Sequence, residues 1–272
     1  MKLHRLIISI AALLAFATLF SSCSGYSRLL KGSDYDLKYE KSFEYYNKKK
    51  YSKALQLFEQ ITTVYRGLEK GEKLMFYYAM CNLKVKDYYS AGYYFRKFAS
   101  TYPHSEYNEE AMFLSAFCYY KDSPKPSLDQ ESTDLAIAEF ELFISKYPNT
   151  TRKDSCNMLL DELRHKLQVK SYDNAYLYYK LGYYKAANVS LKNSLADFPD
   201  SPFKEEILYY TAKSMYEYAS QSIDEKKRER FRDAQRDLGE YARVYPEGKY
   251  IKDINKMTNN TKDILNSLPV IN

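Results

Sequence analysis

The sequence predicts an all-α fold, an α-solenoid of about five helix pairs closed by a C-terminal capping helix. Three observations predict it. Ala54, Ala91, Ala136, Ala187 and Ala234 each stand eleven residues before an aromatic, namely Tyr65, Tyr102, Tyr147, Phe198 and Tyr245. The last four aromatics run directly into proline, at Pro103, Pro148, Pro199 and Pro246. Glycine and proline number only eight each in 272 residues, and apolar residues recur at helical spacing. A unit copied at intervals of 37, 45, 51 and 47 residues makes a repeat array, a surface for holding partners rather than a single buried pocket.

The repeats justify their helices one by one. The first reads Tyr51, Ala54, Phe58, Ile61, Tyr65, with spacings that put all five on one face of a helix. The second reads Tyr88, Ala91, Phe95, Phe98, Tyr102, and the third Thr133, Ala136, Phe140, Phe143, Tyr147. The fourth reads Tyr184, Ala187, Leu191, Ser194, Phe198, with a polar exception at Ser194; the fifth reads Phe231, Ala234, Leu238, Tyr241, Tyr245. Alanine in the second slot admits a close neighbouring helix, and the proline ends the helix by pushing its predecessor out of the α region.

A helix with a small residue precedes each frame: Ser42, Ala79 and Ala175 lie twelve residues before their alanines. Ala116 and Ala212 lie 20 and 22 before theirs, which predicts insertions around 121–132 and 220–230. Glu109–Glu110 and Glu205–Glu206 fall in first turns, where carboxylates favour the positive end of the helix dipole. Residues 153–170 predict a linking helix with Met158, Leu159, Leu163 and Leu167 on one face. Ile251, Ile254, Met257, Ile264 and Leu265 predict the capping helix.

The N-terminus reads as an address. Lys2, His4 and Arg5 precede a 15-residue apolar run from Leu6 to Phe20, short for a membrane span and suited to a secretory signal. Phe20, Ser21 and Ser22 then lead into Cys23, which resembles the bacterial lipobox and marks Cys23 as the lipidation site. The expected organisation is a lipoprotein signal peptide over 1–22 and a lipidated tether over 23–33. Repeats one to three follow over 34–150, the linking helix with repeats four and five over 151–250, and the cap and tail over 251–272.

Composition excludes several functions. Cleavage removes two of the 41 basic side chains and leaves 35 acidic ones, a mild positive balance that does not suggest nucleic acid. Cys81 and Cys118 share one slot of successive repeats and read, with Cys156, as packing residues; the odd number left after Cys23 argues against a disulfide framework. His104 and His165 are isolated, and no metal-binding, phosphate-binding or nucleophile motif is present, so no enzyme, metal or cofactor is expected. Tyrosine is the oddity, with 31 and no tryptophan. Adjacent helical residues point about 100° apart. Pairs such as Tyr45–Tyr46, Tyr77–Tyr78, Tyr88–Tyr89, Tyr93–Tyr94 and Tyr183–Tyr184 therefore cannot all bury both members.

The helix pair with two small residues and a proline stop resembles the tetratricopeptide repeat, with lengthened helices and insertions. Three segments are more specific. They are Asp129-Gln130-Glu131-Ser132-Thr133 leading into Ala136 and ending at Tyr147-Pro148-Asn149, Tyr102-Pro103-His104-Ser105-Glu106-Tyr107 before Glu110-Ala111, and Gly182 to Ala187 with Phe198-Pro199-Asp200-Ser201. With the lipobox, these are similar to the BamD family, the tetratricopeptide lipoproteins of the outer-membrane β-barrel assembly machinery. The tyrosine richness and the charged insertion before repeat five depart from that family.

The resemblance implies a periplasmic scaffold, lipid-anchored to the outer membrane. It also implies two partners: the barrel subunit of the machine, bound through its POTRA domain, and the C-terminal signal of nascent outer-membrane proteins. Tyr45, Tyr46, Tyr77, Tyr78 and Tyr119 are the candidate liners of a signal groove, since tyrosine offers apolar area with a hydroxyl for extended backbone. Tyr209, Tyr241, Arg228 and Arg232 are the candidate contacts of the partner-binding C-terminal half. Two other readings stay open: a tetratricopeptide adaptor lipoprotein for cell-wall or division proteins, and a SusD-like glycan-binding lipoprotein.

Overall fold

The proline stops do what the sequence predicts, one residue earlier than the aromatic. The computed structural model describes residues 25–269. In it α1 (Tyr35–Asn47) and α2 (Tyr51–Ile61) form the first pair, α3 (Glu69–Lys84) and α4 (Tyr88–Thr101) the second, and α5 (Asn108–Asp122) and α6 (Glu131–Lys146) the third. Next come α7 (Lys153–Lys180), α8 (Tyr184–Asp197), α9 (Lys204–Ser220), α10 (Asp224–Val244) and α11 (Ile251–Ser267). Tyr102, Phe198 and Tyr245 each cap the preceding helix in one non-helical conformation, with φ of −123°, −132° and −128° and ψ of 67°, 73° and 66°. The proline that follows disfavours the α region for each of them. The chain then turns identically: the amides of Ser105, Thr150, Ser201 and Gly248 donate to the carbonyls of Tyr102, Tyr147, Phe198 and Tyr245 at 3.1 Å.

The chain forms two compact units. Of the described residues, one comprises those up to Ser123 with Glu131–Asn157; the other comprises Pro124–Gln130 with those from Met158 onward. Each is a stack of tetratricopeptide-like helix pairs, so the fold is all-α as predicted. Slots two to four of every frame are buried: Ala54, Ala91, Ala136, Ala187 and Ala234 with the apolar side chains behind them. The small residues of the first helices, Ser42, Ala79, Ala116, Ala175 and Ala212, are buried too. The polar exception has a partner, since buried Ser194 accepts a hydrogen bond from Ser171 at 2.9 Å.

Four expectations change. The linking helix does not stop at 170; α7 runs 28 residues into the first helix of repeat four, because no glycine or proline interrupts it. Its buried stripe is Cys156, Leu160 and Leu163, and Met158 is 73% exposed, so the face is one step round from the predicted one. The tether is ordered from residue 25: residues 25–31 are helical, and Tyr26 Oη donates to the Lys53 carbonyl at 2.8 Å and to Gln56 at 3.0 Å. The insertions differ in kind. The first is a loop over 123–130, folded around Gln130, whose amide donates to the carbonyls of Lys125 and Leu128 at 3.0 Å. The second lengthens α10, which begins at Asp224. The signal peptide and Cys23 lie outside the described residues.

Gly71 makes a sharp test of this packing. It lies in the first turn of α3, and a Cβ there would meet the Tyr65 carbonyl oxygen at 2.1 Å. Helix propensity alone would make Gly71→Ala stabilising by about 1 kcal/mol. The clash is with backbone and cannot be relieved by a rotamer, so we expect a net loss of about 2 kcal/mol. Urea denaturation of the mature chain checks the sign; a raised midpoint would show that the α2–α3 connection is not packed as described.

Candidate functional site

The candidate groove residues separate into core and surface. Tyr78 and Tyr119 are buried and cannot line a groove. Tyr78 packs edge-on against Tyr94 at 4.5 Å beside Leu74 and Ala54. Tyr119 lies over Gly92, where a Cβ would meet its ring at 2.9 Å. The missing side chain of α4 thus makes the space that the ring fills, a pairing that no spacing along the chain reveals.

Tyr45, Tyr46 and Tyr77 are half-buried on the first helices of repeats one and two. Tyr77 packs edge-on against Tyr46 at 4.8 Å and Phe43 at 5.2 Å, and Lys73 Nζ sits 5.2 Å from the Phe43 ring centre. Burial pushes the Tyr46 hydroxyl up to about 12, so it stays a neutral donor. Tyr45 instead packs edge-on against Tyr26 at 5.3 Å, so the segment ahead of α1 covers it. The surface left is an aromatic cluster with a cation beside it, able to hold apolar side chains and to donate hydrogen bonds to extended backbone.

In the second unit, three of the four candidates have structural partners. Tyr209 is buried, stacks on Tyr250 at 4.0 Å and donates to Asp253 at 2.6 Å. Tyr241 is buried, donates to Glu205 at 2.7 Å and accepts from the Tyr250 amide at 3.0 Å. Arg228 donates to the carbonyls of Leu265, Leu268 and Pro269, closing the end of α11. Tyr209 and Tyr241 thus hold the second unit together from inside it and are not the contact residues expected, because they are buried and their hydroxyls are already engaged; Arg228 is half-buried. Arg232 is exposed on α10.

Sequence reasoning missed a repeated latch. Ser105 Oγ donates to Glu72 at 2.5 Å, Thr150 Oγ1 to Glu109 at 2.9 Å, and the Lys249 amide to Glu205 at 2.6 Å. Each time a first-turn glutamate reaches the turn that ends the pair. First-turn glutamates of α3, α5 and α9 thus hold neighbouring turns as well as complementing the dipole. Their recurrence in first turns was the signal available in the sequence. The three cysteines among the described residues, Cys81, Cys118 and Cys156, are buried free thiols, and burial pushes Cys81 and Cys118 up to about 12, which keeps them unreactive.

Among the described residues no helix is long and apolar enough to cross a membrane. The family model YfiO, described as an outer membrane lipoprotein, matches residues 33–173 and 165–268. A protein of Aquifex aeolicus named as outer membrane protein assembly factor BamD is 25% identical over 91% of this chain and 96% of its own length. The outer membrane protein assembly factor BamD of Caulobacter vibrioides is 29% identical, over 34% of this chain and 30% of its own. A tetratricopeptide-repeat protein structure from Bacteroides fragilis aligns over 86% of this chain and 100% of that one, with 16% identity and a TM-score of 0.37.

The Tyr209–Asp253 bond predicts a pH dependence. It is the main reason that the Asp253 carboxyl titrates below its ordinary 3.8, with Lys213 adding to it. The folded state therefore favours the carboxylate. The contribution is complete above pH 3.8 and fades as pH falls through the lower folded value. Asp253→Asn is expected to lower stability at neutral pH by about 1 kcal/mol, modest because the group is partly exposed. It should also flatten the acid limb of the thermal melting profile. An unchanged acid limb would mean that the hydrogen bond does not form.

Proposed function

The chain belongs to the YfiO family of outer membrane lipoproteins, and from that premise we propose that it is a non-catalytic scaffold of the outer-membrane β-barrel assembly complex. The observation that carries this is the extent of the family match, which runs from the start of the first repeat to the capping helix and so takes in both units. Of the three readings left open by the sequence, barrel assembly is the one that both BamD-named relatives support.

In this reading Cys23 carries the lipid and the repeats face the periplasm. Only Ser24 and Gly25 separate Cys23 from Tyr26, which is pinned to α2. At up to about 3.6 Å per residue, that reach holds repeat one within about 11 Å of the acylated sulfur's own residue. An anchor so short keeps the Tyr46–Tyr77–Phe43 cluster near the membrane surface, where an incoming apolar strand end has to be shielded from water. The cluster then holds the C-terminal signal of nascent barrel proteins through apolar contact and tyrosine hydroxyls. Partner contact in the second unit falls to exposed residues such as Arg232, where a POTRA domain of the barrel subunit docks.

Photo-crosslinkers at Tyr46 and Tyr77 should capture unfolded outer-membrane proteins, and one at Arg232 should capture a large β-barrel protein with POTRA domains. Cys23→Ser should move the protein from the membrane fraction to the soluble periplasm. Recovery of only peptidoglycan enzymes or glycan-binding proteins at all three sites would refute the reading.

A further inference from the structure

A pair of adjoining depressions in the second unit belongs to none of the residues discussed so far. The C-terminal end of α7, the start of α8 and the end of α9 enclose an open hollow of about 690 Å³ lined mainly by apolar surface. Tyr178, Tyr183, Tyr184, Val189 and Tyr218 line it. Tyr183 is 62% exposed and Val189 51%, with Leu181 exposed beside them. Large apolar side chains gathered on one patch mark a surface that something else covers.

A second hollow, of about 280 Å³, adjoins the first, and Lys185, Val189 and Tyr218 line both. Its wall is charged. Lys185, Lys192, Lys226, Arg230 and Arg236 line it with Glu229 and Asp233; Lys226 pairs with Glu229 at 3.5 Å and Arg236 with Asp233 at 3.1 Å, both at the exposed surface where such pairs are weak. Buried Asp237 stands behind and takes Lys192 at 2.8 Å. With it included, cations outnumber carboxylates by five to three. The charged insertion ahead of repeat five supplies much of this wall by starting α10 early, at Asp224. Arg230 is held in place over the Tyr218 ring at 4.1 Å and by Ser222 at 2.8 Å, so the cationic wall is fixed against the aromatic one.

The two hollows together fit a ligand that is apolar at one end and anionic at the other. The tyrosine hydroxyls, Ser190 and Gln221 in the apolar hollow can pair an extended peptide backbone. Glu229 and Asp233 among the cations disfavour a sheet of phosphates, while the surplus of cations suits a polypeptide that carries carboxylates. We propose that this groove docks a short extended segment of a partner protein in which bulky apolar side chains are followed by carboxylates. The inference stands on the second unit alone and does not depend on the lipid anchor or on barrel assembly.

The test uses the mature full-length chain and a short fluorescein-labelled peptide with a phenylalanine pair followed by a run of aspartates. Fluorescence anisotropy should give binding about ten-fold tighter than for peptides with lysines replacing the aspartates or alanines replacing the phenylalanines, and it should weaken with salt. Val189→Asp, and separately Lys185→Glu with Lys226→Glu, should each weaken it about five- to ten-fold. Their melting temperatures should change little, because these side chains are exposed and the Lys226–Glu229 pair is a weak surface one. Equal binding of the three peptides, or indifference to both variants, would overturn the proposal. So would a preference for phosphatidylglycerol vesicles over the peptide, or self-association lost on Val189→Asp without peptide binding.

Discussion

Everything in this fold depends on how closely the two helices of a pair can approach. The small residues at the crossing, Ser42, Ala79, Ala116, Ala175 and Ala212 on one helix and Ala54, Ala91, Ala136, Ala187 and Ala234 on the other, are all buried. With no bulk at the crossing, the large side chains fall on either side of it. Phe58, Phe95, Phe98, Phe140, Phe143 and Phe231 are fully buried there, and each aromatic of this size removes about 150–250 Å² from water. The crossing fixes where the second helix must end, and the pre-proline residue ends it in the same conformation three times over. The turn that follows then presents its polar groups to a first-turn glutamate. Spacing, burial and latch are successive consequences of the same close approach.

What the sequence made legible is what depends on periodicity. The five frames, the small residues facing them, the proline stops and the two insertion points could all be read from residue spacing. So could the expectation that one member of a tyrosine pair is more exposed, as with Tyr77 against Tyr78. What stayed hidden depends on partners distant in sequence. Tyr119 is a core residue because Gly92 leaves room for it, and Tyr209 is one because Asp253 and Tyr250 receive it. The error over Met158 has a similar origin. Two faces of α7 carry apolar residues, and only its packing selects the face with Cys156, Leu160 and Leu163.

Tyrosine does two jobs in this fold. Some rings meet edge to face on a half-buried surface, as Tyr46 and Tyr77 do around Phe43 with Lys73 beside them. Others end their hydroxyls on carboxylates within the structure, Tyr65 on Asp36, Tyr209 on Asp253 and Tyr241 on Glu205. Asp237 extends the same theme without a ring: Asn188 at 2.8 Å and Lys192 at 2.8 Å satisfy a buried carboxylate between α8 and α10. A buried polar network of this kind adds little net stability when complete, but losing one member leaves its partners unsatisfied in low dielectric. It therefore specifies one arrangement of helices more than it strengthens it.

The division between these two kinds of tyrosine bears on where binding can occur. A tyrosine whose hydroxyl already ends on a carboxylate has no hydrogen bond left to offer a ligand without breaking one inside the protein. Exchanging a satisfied internal bond for an equivalent external one gains almost nothing, whereas engaging a solvated group exchanges only water. In the second unit the side chains that meet this condition are not the buried tyrosines of the capping interface. They are the exposed ones at the ends of α7 and α9 away from that interface, with Lys185 beside them and Lys226 and Arg236 of α10 held in weak surface pairs. The extra turns that the insertion gives α10 bring those cations up to an apolar hollow that the regular repeat would leave unflanked. An irregularity in the spacing of the repeats thus becomes a chemically distinct surface, and the regular frames beneath it keep that surface in place.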